Sequence, residues 1–324
     1  MVRLNELPVT FVIALDDAGR PVGTVTDGDI RRAVLAEKTL EAPISEIMHG
    51  TPLIGHINDL PTSQSLLNEV EFLPMVDGDG ALAEIWLRSK LKERISTALV
   101  MAGGQGTRLG QQTKTQPKPL LDVDNAPILE HVLTWLESGG VENIYISTHY
   151  LADKISTFLD ARNGMSTPRI IYEKTLLGTA GALNLLPSGV KGPILVMNGD
   201  VLTTMDVSTL HDFHTSHGYD CTIAVTPFDF TVPFGVIRYD DQGVFEGIDE
   251  KPTFTRFVAA GIYLLGSEFL GLFAPKEKID MPDLLNLGRQ AGLNIGLFPI
   301  HEYWIDIGRP DQLSRANKEW KDQK

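Results

Sequence analysis

The chain is 324 residues long, 43% hydrophobic and 22% charged, with a formal net charge of −14. That length holds two domains or one large one, and the apolar fraction supports a sizeable core. The acidic balance excludes a broad nucleic-acid-binding or anionic-membrane face, so an anionic ligand requires a local basic pocket.

The N-terminus, MVRLNELPV, lacks a signal-peptide apolar core, and no apolar run approaches spanning length, which predicts a soluble cytoplasmic protein. FVIALDD (11–17) reads as a strand ending at a turn, Asp17-Ala18-Gly19, and PVGTVT (21–26) as a second strand. DGDIRRAVLAEK (27–38) opens a helix, with Asp27 or Asp29 placed to cap it. After a linker comes a weaker copy. Ser63–Val70 reads as helical, FLPMVDGDG (72–80) as a strand and turn, and ALAEIWLRSKLKERI (81–95) runs on into a helix. Two copies of strand-turn-strand-helix predict an internal duplication.

GTVTDGDIRR (23–32) resembles the core of a CBS domain, and residues 1–95 resemble a CBS pair with a truncated first copy. In the second copy, Ile85-Trp86-Leu87-Arg88 stands where the Thr/Asp pattern belongs. The resemblance implies that Thr26 and Asp29 contact the ribose of a regulatory adenine nucleotide. A structural role, or a dimerising one that would give a homo-oligomer, is the equal alternative, with Asp29 as a helix cap.

From residue 96 the text changes. Leu99, Val100, Met101 and Ala102 form an apolar strand broken by Gly103. Gly103, Gly104 and Gly106 can bring backbone N–H groups close to an anion, and Arg108 and Lys118 add cationic heads. Pro117 and Pro119 stiffen the backbone around the lysine. This suits a polyphosphate. A dinucleotide fingerprint fails because Leu109 replaces the third glycine, and no Gly-Lys-Ser/Thr completes a Walker loop. AGGQGTRL followed by QPKPL resembles the signature of the sugar-nucleotide nucleotidyltransferases. The resemblance implies a nucleotide-binding loop of Ala102, Gly103, Gly104, Gly106 and Thr107, with Arg108 and Lys118 as catalytic cations.

Strands and helices then alternate. NIYIST (143–148), PRIIYE (168–173), GPILVMNGD (192–200), CTIAVTPF (221–228), FVAAGIYLLG (257–266) and LNIGLFPI (293–300) read as strands. LADKISTFLDA (151–161), LGTAGALNLL (177–186), TLHDFHTSH (209–217), MPDLLNLGRQ (281–290) and the end of HEYWIDIGRPDQLSRANKEW (301–320) read as helices, and GVIRYDDQGVFEGI (235–248) as a hairpin. The pattern predicts an α/β fold. With the resemblance, it implies a mostly parallel, Rossmann-like (GT-A-like) nucleotidyltransferase sheet over residues 96–324, beside a smaller α+β CBS-like domain over 1–95. Cys221, the single cysteine, excludes an intrachain disulfide and reads as a small core residue. His211, His214 and His217 recur every third residue in a polar segment without a fourth ligand, which predicts a solvated helix face.

Asp200 follows an apolar strand and Asp306 lies within YWIDIG. Carboxylates there are costly to bury without a cation or donor, so each caps a turn or the two share a hard cation such as Mg²⁺. The resemblance implies that both bind metal. EKTLLGTAGAL (173–183) resembles the family's nucleobase-reading segment, which implies contacts from Glu173, Gly178 and Thr179. Relatives that read uracil or thymine place Gln in this region. An ionised carboxylate only accepts hydrogen bonds, so Glu173 suits the adjacent N–H donors of guanine; a surface Glu ending a strand is the plainer alternative. FGVIR (234–238), DEKP (249–252) and AAGIYLL (259–265) resemble segments around the sugar phosphate, which implies Gly235, Glu250, Lys251 and Gly261.

The expected reaction is transfer of a nucleoside monophosphate from an NTP, GTP by the argument on Glu173, to a sugar 1-phosphate. An NDP-sugar for surface glycans and pyrophosphate are the products. The alternatives are a uridylyl- or thymidylyltransferase of the same fold and a non-catalytic subunit that binds a nucleotide sugar.

Overall fold

Two hairpins with the same turn chemistry build the first of the two units into which the chain divides, Met1–Glu93 and Arg94–Lys324. The computed structural model describes residues 11–38, 42–88, 94–104, 106–190 and 192–323. In the first unit β1 (Phe11–Leu15) pairs antiparallel with β2 (Pro21–Thr26), and α1 (Asp27–Leu35) follows. Then come β3 (Gly55–His56), α2 (Leu60–Leu67), β4 (Phe72–Val76) and β5 (Leu82–Leu87), with the three strands in one sheet. Asp16 Oδ1 accepts from the N–H groups of Ala18 and Arg20, and Asp77 Oδ1 accepts from those of Asp79 and Ala81. Gly19 and Gly80, both with positive φ, close the two turns. Phe11 and Phe72, which open β1 and β4, stack at 3.7 Å. The two hairpins thus share one turn type.

The cap of α1 is Thr26 rather than Asp27 or Asp29. Its hydroxyl accepts from the Asp29 N–H, and the Asp29 carboxylate accepts from the Thr26 N–H at 2.7 Å, a complete capping box. The helix expected over Ser63–Val70 starts at Leu60, because Asp59 caps it and Pro61 suits its first turn. The strand β5 precedes residues 89–93, so the helix expected there lies outside the described residues.

The second unit begins with β6 (Thr97–Met101), β7 (Asp122–Val123), β8 (Ala126–Pro127), α3 (Ile128–Ser138), β9 (Asn143–Thr148) and α4 (Ala152–Ala161). It continues with β10 (Arg169–Tyr172), α5 (Gly178–Gly181), β11 (Ile194–Asn198), β12 (Val201–Thr203) and α6 (Val207–Ser216). Then follow β13 (Cys221–Thr231), β14 (Gly235–Tyr239), β15 (Phe245–Glu250), β16 (Thr253–Leu265), α7 (Met281–Gln290), β17 (Ile295–Pro299), β18 (Trp304–Asp306) and α8 (Pro310–Glu319). Seven strands form the central sheet in the order β10-β9-β6-β11-β16-β13-β17. In β6, Ala98 and Val100 pack into one apolar layer and Leu99 into the other, so the sheet is covered on both faces.

The sheet is mixed: four of its six pairings are parallel, as expected, but β16 runs against both β11 and β13. Parallel neighbours need a crossover, whereas β13 reaches β16 through the β14–β15 hairpin with no helix between them. Among the described residues no helix is long and apolar enough to cross a membrane.

Cys221 is fully buried in β13, and burial pushes its thiol up to about 12, which keeps it protonated. The histidine segment departs from expectation. His211 and His214 are buried, with His214 Nδ1 2.9 Å from the Thr222 hydroxyl, and His217 stacks on Tyr219. Burial first, and then the neighbouring His211, hold the His214 imidazole down to about 4. The unfolded chain takes up this proton near pH 6.5 and the folded chain only near 4, so protonation favours unfolding. The associated stability, about 3 kcal/mol at most, is complete above pH 6.5 and is lost as pH falls through 4. Urea denaturation of wild type and His214→Asn checks this: the variant is expected to flatten the pH dependence between these limits, and equal slopes would exclude His214 as its source.

Candidate active site

The strand β6 delivers the glycine loop to the carboxyl edge of the sheet, where open α/β sheets gather ligands. Ala102 is buried, and its N–H donates to the Ser147 carbonyl of β9 at 2.8 Å. The Gly199 N–H donates to Met101 O at 2.9 Å, which ties the end of β6 to the corner after β11. Gly106 adopts φ +61°, and a Cβ there would stand 2.9 Å from the Thr113 side chain and 3.3 Å from Lys118 Cβ. Only glycine meets both conditions. The Thr113 hydroxyl donates to Gly106 O at 2.8 Å and holds the loop down. Thr107 opens a 3₁₀ segment, Thr107–Thr113; its side chain and Gln105 lie outside what the structure describes.

Pro117 and Pro119 flank Lys118 at the start of a short 3₁₀ turn, which aims the lysine inward. Its ammonium donates to Asp200 Oδ2 and lies 3.8 Å from Asp306 Oδ1. The two aspartates meet because β12 and β18 pair antiparallel, with Val201 opposite Asp306 and the Ile307 N–H donating to Asp200 O at 3.0 Å. Asp306 Oδ1 is buried and has no hydrogen-bond partner. Burial holds the Lys118 pKa below the ordinary lysine range; Asp306 works against that shift and Arg108 reinforces it. Arg108 itself is exposed at the rim.

These groups line one cavity of ≈ 600 Å³. Of the predicted site residues, Ala102, Gly103, Gly104, Gly106, Arg108, Lys118, Glu173, Gly178, Thr179, Asp200 and Asp306 share its wall. Gly235, Glu250, Lys251 and Gly261 do not. Gly235 and Glu250 face each other across the β14–β15 hairpin. Gly261 approaches the cavity only through Asn198, whose side chain fills the space a Cβ would take. Thr26 and Asp29 of the first unit bond to each other as described above.

Glu173 is buried and its carboxylate is already engaged. Oε1 accepts from the Ser147 hydroxyl, and Oε2 accepts from the Leu177 N–H at 2.9 Å. Glu173 thus ties β9 to the turn at Leu177 while it lines the cavity. His149 stands behind it, with Nδ1 2.7 Å from Glu173 O.

Asn198, Lys278 and Asp280 also line the cavity, though no sequence motif marked them. Asn198 carried a signal, since it sits in the same NGD corner as Asp200. Lys278 and Asp280 had only the start of a helix to announce them.

Among the described residues no three His, Cys, Asp or Glu side chains cluster for metal binding. The pair Asp200–Asp306 does suit a hard cation. It supplies two carboxylates, one with an orphaned buried oxygen, at a point where a cationic head already sits. Mg²⁺ takes one or two protein carboxylates and completes its shell with water and substrate phosphates.

A family model described as nucleotidyl transferase matches residues 97–323. A putative mannose-1-phosphate guanyltransferase of Sulfolobus acidocaldarius is 30% identical over 230 residues, which cover 69% of this chain and 62% of the relative. The mannose-1-phosphate guanylyltransferase catalytic subunit beta of Drosophila melanogaster is 31% identical over 224 residues, covering 66% and 59%. The chain thus spans about three fifths of the length of the curated relatives it matches. The crystal structure of HddC from Yersinia pseudotuberculosis superposes with a TM-score of 0.55 at 27% identity, covering 70% of this chain and all of that one. HddC complexed with GMP-PN gives a TM-score of 0.56 at 24% identity over the same shares, a likeness of fold.

Proposed function

The chain belongs to the nucleotidyl transferase family, and from that premise we propose that it transfers GMP from GTP to a sugar 1-phosphate, releasing pyrophosphate. The observation that carries the reading is the meeting of the glycine loop, Lys118 and the Asp200–Asp306 pair in one cavity. The guanine assignment is supported by the carboxylate of Glu173 in the cavity wall and by relatives named as mannose-1-phosphate guanylyltransferases. The sugar 1-phosphate is supported by the same relatives.

A phosphate oxygen of the sugar 1-phosphate attacks the α-phosphorus of GTP, and the bond from that phosphorus to the oxygen bridging to the β-phosphate breaks. The electron pair leaves with pyrophosphate. The nucleophile is already anionic, so no general base is required, and rate enhancement comes from positioning and charge stabilisation. Lys118 and Arg108 neutralise the triphosphate and the departing pyrophosphate, and loop N–H groups orient it. Asp200 and Asp306 would hold Mg²⁺, which when bound supplies electrostatic screening between phosphates.

For the first unit we infer a structural role. Thr26 and Asp29 satisfy each other and the first turn of α1, so an adenine nucleotide would have to displace those bonds to reach them.

Pyrophosphate release, measured with Mg²⁺ across GTP, ATP, UTP and dTTP and a panel of sugar 1-phosphates, tests the reading. GTP with a hexose or heptose 1-phosphate is expected to give the highest kcat/KM. Faster turnover with UTP or dTTP would overturn the guanine assignment. Nucleotide-sugar binding without any turnover would favour a regulatory subunit.

A further inference from the structure

Residues 177–180 and 279–281 lie about a hundred positions apart, yet they are laced together at the cavity wall. The Ile279 N–H donates to Leu177 O at 2.9 Å and the Ala180 N–H to Ile279 O at 3.1 Å. The Thr179 N–H donates to Asp280 Oδ1 at 2.9 Å, and the Thr179 hydroxyl approaches the same oxygen at 3.4 Å. The Met281 N–H in turn donates to the Thr179 hydroxyl at 2.8 Å. Asp280 is the residue before α7, but its side chain makes no bond to its own helix. The arrangement is a capping box split between two distant segments: Thr179 caps α7, and the helix's cap residue holds Thr179. Gly178 permits the close approach. Its φ is +82°, and a Cβ would stand 2.5 Å from Ile279 O.

Gly178, Thr179 and Asp280 all line the cavity with Glu173, whose carboxylate accepts from the neighbouring Leu177 N–H at 2.9 Å. We propose that Asp280 is a positioning residue for the nucleotide, holding the Gly178–Thr179 wall through its paired bonds to Thr179. The inference rests on the proposed function for the identity of the nucleotide and adds a residue outside every motif of the sequence. In the proposed function Lys118 and the Asp200–Asp306 pair serve the reacting phosphates, whereas this wall serves only to hold the nucleotide. Loosening it therefore weakens binding more than turnover.

The test compares Asp280→Ala, Asp280→Asn, Thr179→Val and Thr179→Ser in steady-state kinetics, with GTP binding followed separately by equilibrium titration. Asp280→Ala and Thr179→Val are each expected to raise KM and Kd for GTP by about tenfold with kcat within about threefold, a uniform-binding loss. The Asn and Ser variants keep the paired oxygen and hydroxyl and are expected to stay near wild type. The double variant is expected to lose more than either single one, since Asp280→Ala leaves the Met281 N–H bond to the Thr179 hydroxyl and Thr179→Val leaves the Thr179 N–H facing Asp280. Unchanged KM and Kd in both single variants would overturn the proposal, as would equal losses in Asp280→Asn and Asp280→Ala, which would make the charge the active feature. Should Asp280→Ala fail to fold, Thr179→Val, which leaves the cap residue in place, decides the question. Wild type that neither binds nor turns over GTP would defeat the functional reading instead, and the two failures are thereby distinct.

Discussion

Lys118→Ala is expected to lower kcat by about 10²- to 10³-fold, or about 2.7–4 kcal/mol of transition-state stabilisation. Lys118 sits where a cation meets both carboxylates, and its side chain is only 15% exposed. A charge so shielded from water acts in a low effective dielectric, where its pull on a departing pyrophosphate is much stronger than at the surface. The prolines on either side fix its origin, so little reorganisation is needed when the substrate arrives. Lys118→Arg is not expected to restore the rate. A planar guanidinium cannot replace a compact ammonium wedged between two aspartates. Arg108 is a control within the same fold: it is exposed at the rim, so Arg108→Ala should cost only about tenfold, in the direction of weaker triphosphate binding. Single-turnover measurements at saturating GTP separate the two effects. A near-normal chemical step in Lys118→Ala would remove the lysine from the catalytic assignment.

What could be read in the sequence divides along physical lines. Gly106 was legible because a glycine loop after an apolar strand has few uses, and its cramped, positive-φ position against Thr113 and Lys118 is the reason the residue must be glycine. Asp200 and Asp306 were legible as acids in apolar text. Their meeting was not, because β12 and β18 are three residues each and pair across a hundred positions with no local signal of register. The clasp of Thr179 with Asp280 was hidden for the same reason: each partner looks like an ordinary turn or cap residue. The histidines at 211 and 214 misled because polar residues every third position resemble a wet helix face. Their burial depends on Thr222 of β13 and on the packing of Phe213 against Phe298 of β17, two elements downstream. The hairpin residues Gly235, Glu250 and Lys251 were placed by order along the chain, whereas the β14–β15 ribbon forms a separate two-stranded sheet whose residues do not line the cavity.

Asp200→Asn is expected to lower kcat/KM by about ten- to a thousandfold, the loss that follows removal of one preorganised electrostatic group. The amide preserves size and shape, so β12 should keep its pairing with β18 and the protein its fold. The change falls on charge alone. Two consequences follow from the geometry. First, the remaining acid, Asp306, is 3.8 Å from Lys118 rather than in direct contact, so the lysine loses its principal partner. Second, one carboxylate of the proposed two-carboxylate cation site is gone, and hard cations depend on ligand charge more than on neutral amide oxygens. The concentration of Mg²⁺ that gives half-maximal activity should therefore rise in Asp200→Asn, with part of the rate returning at high Mg²⁺. Asp306→Asn should act in the same direction. Measuring Mn²⁺ binding directly, without GTP or turnover, separates cation affinity from catalysis. If Asp200→Asn binds Mn²⁺ as well as wild type and keeps its rate at low Mg²⁺, the pair does not hold a metal, and the cavity's acids serve only to orient Lys118.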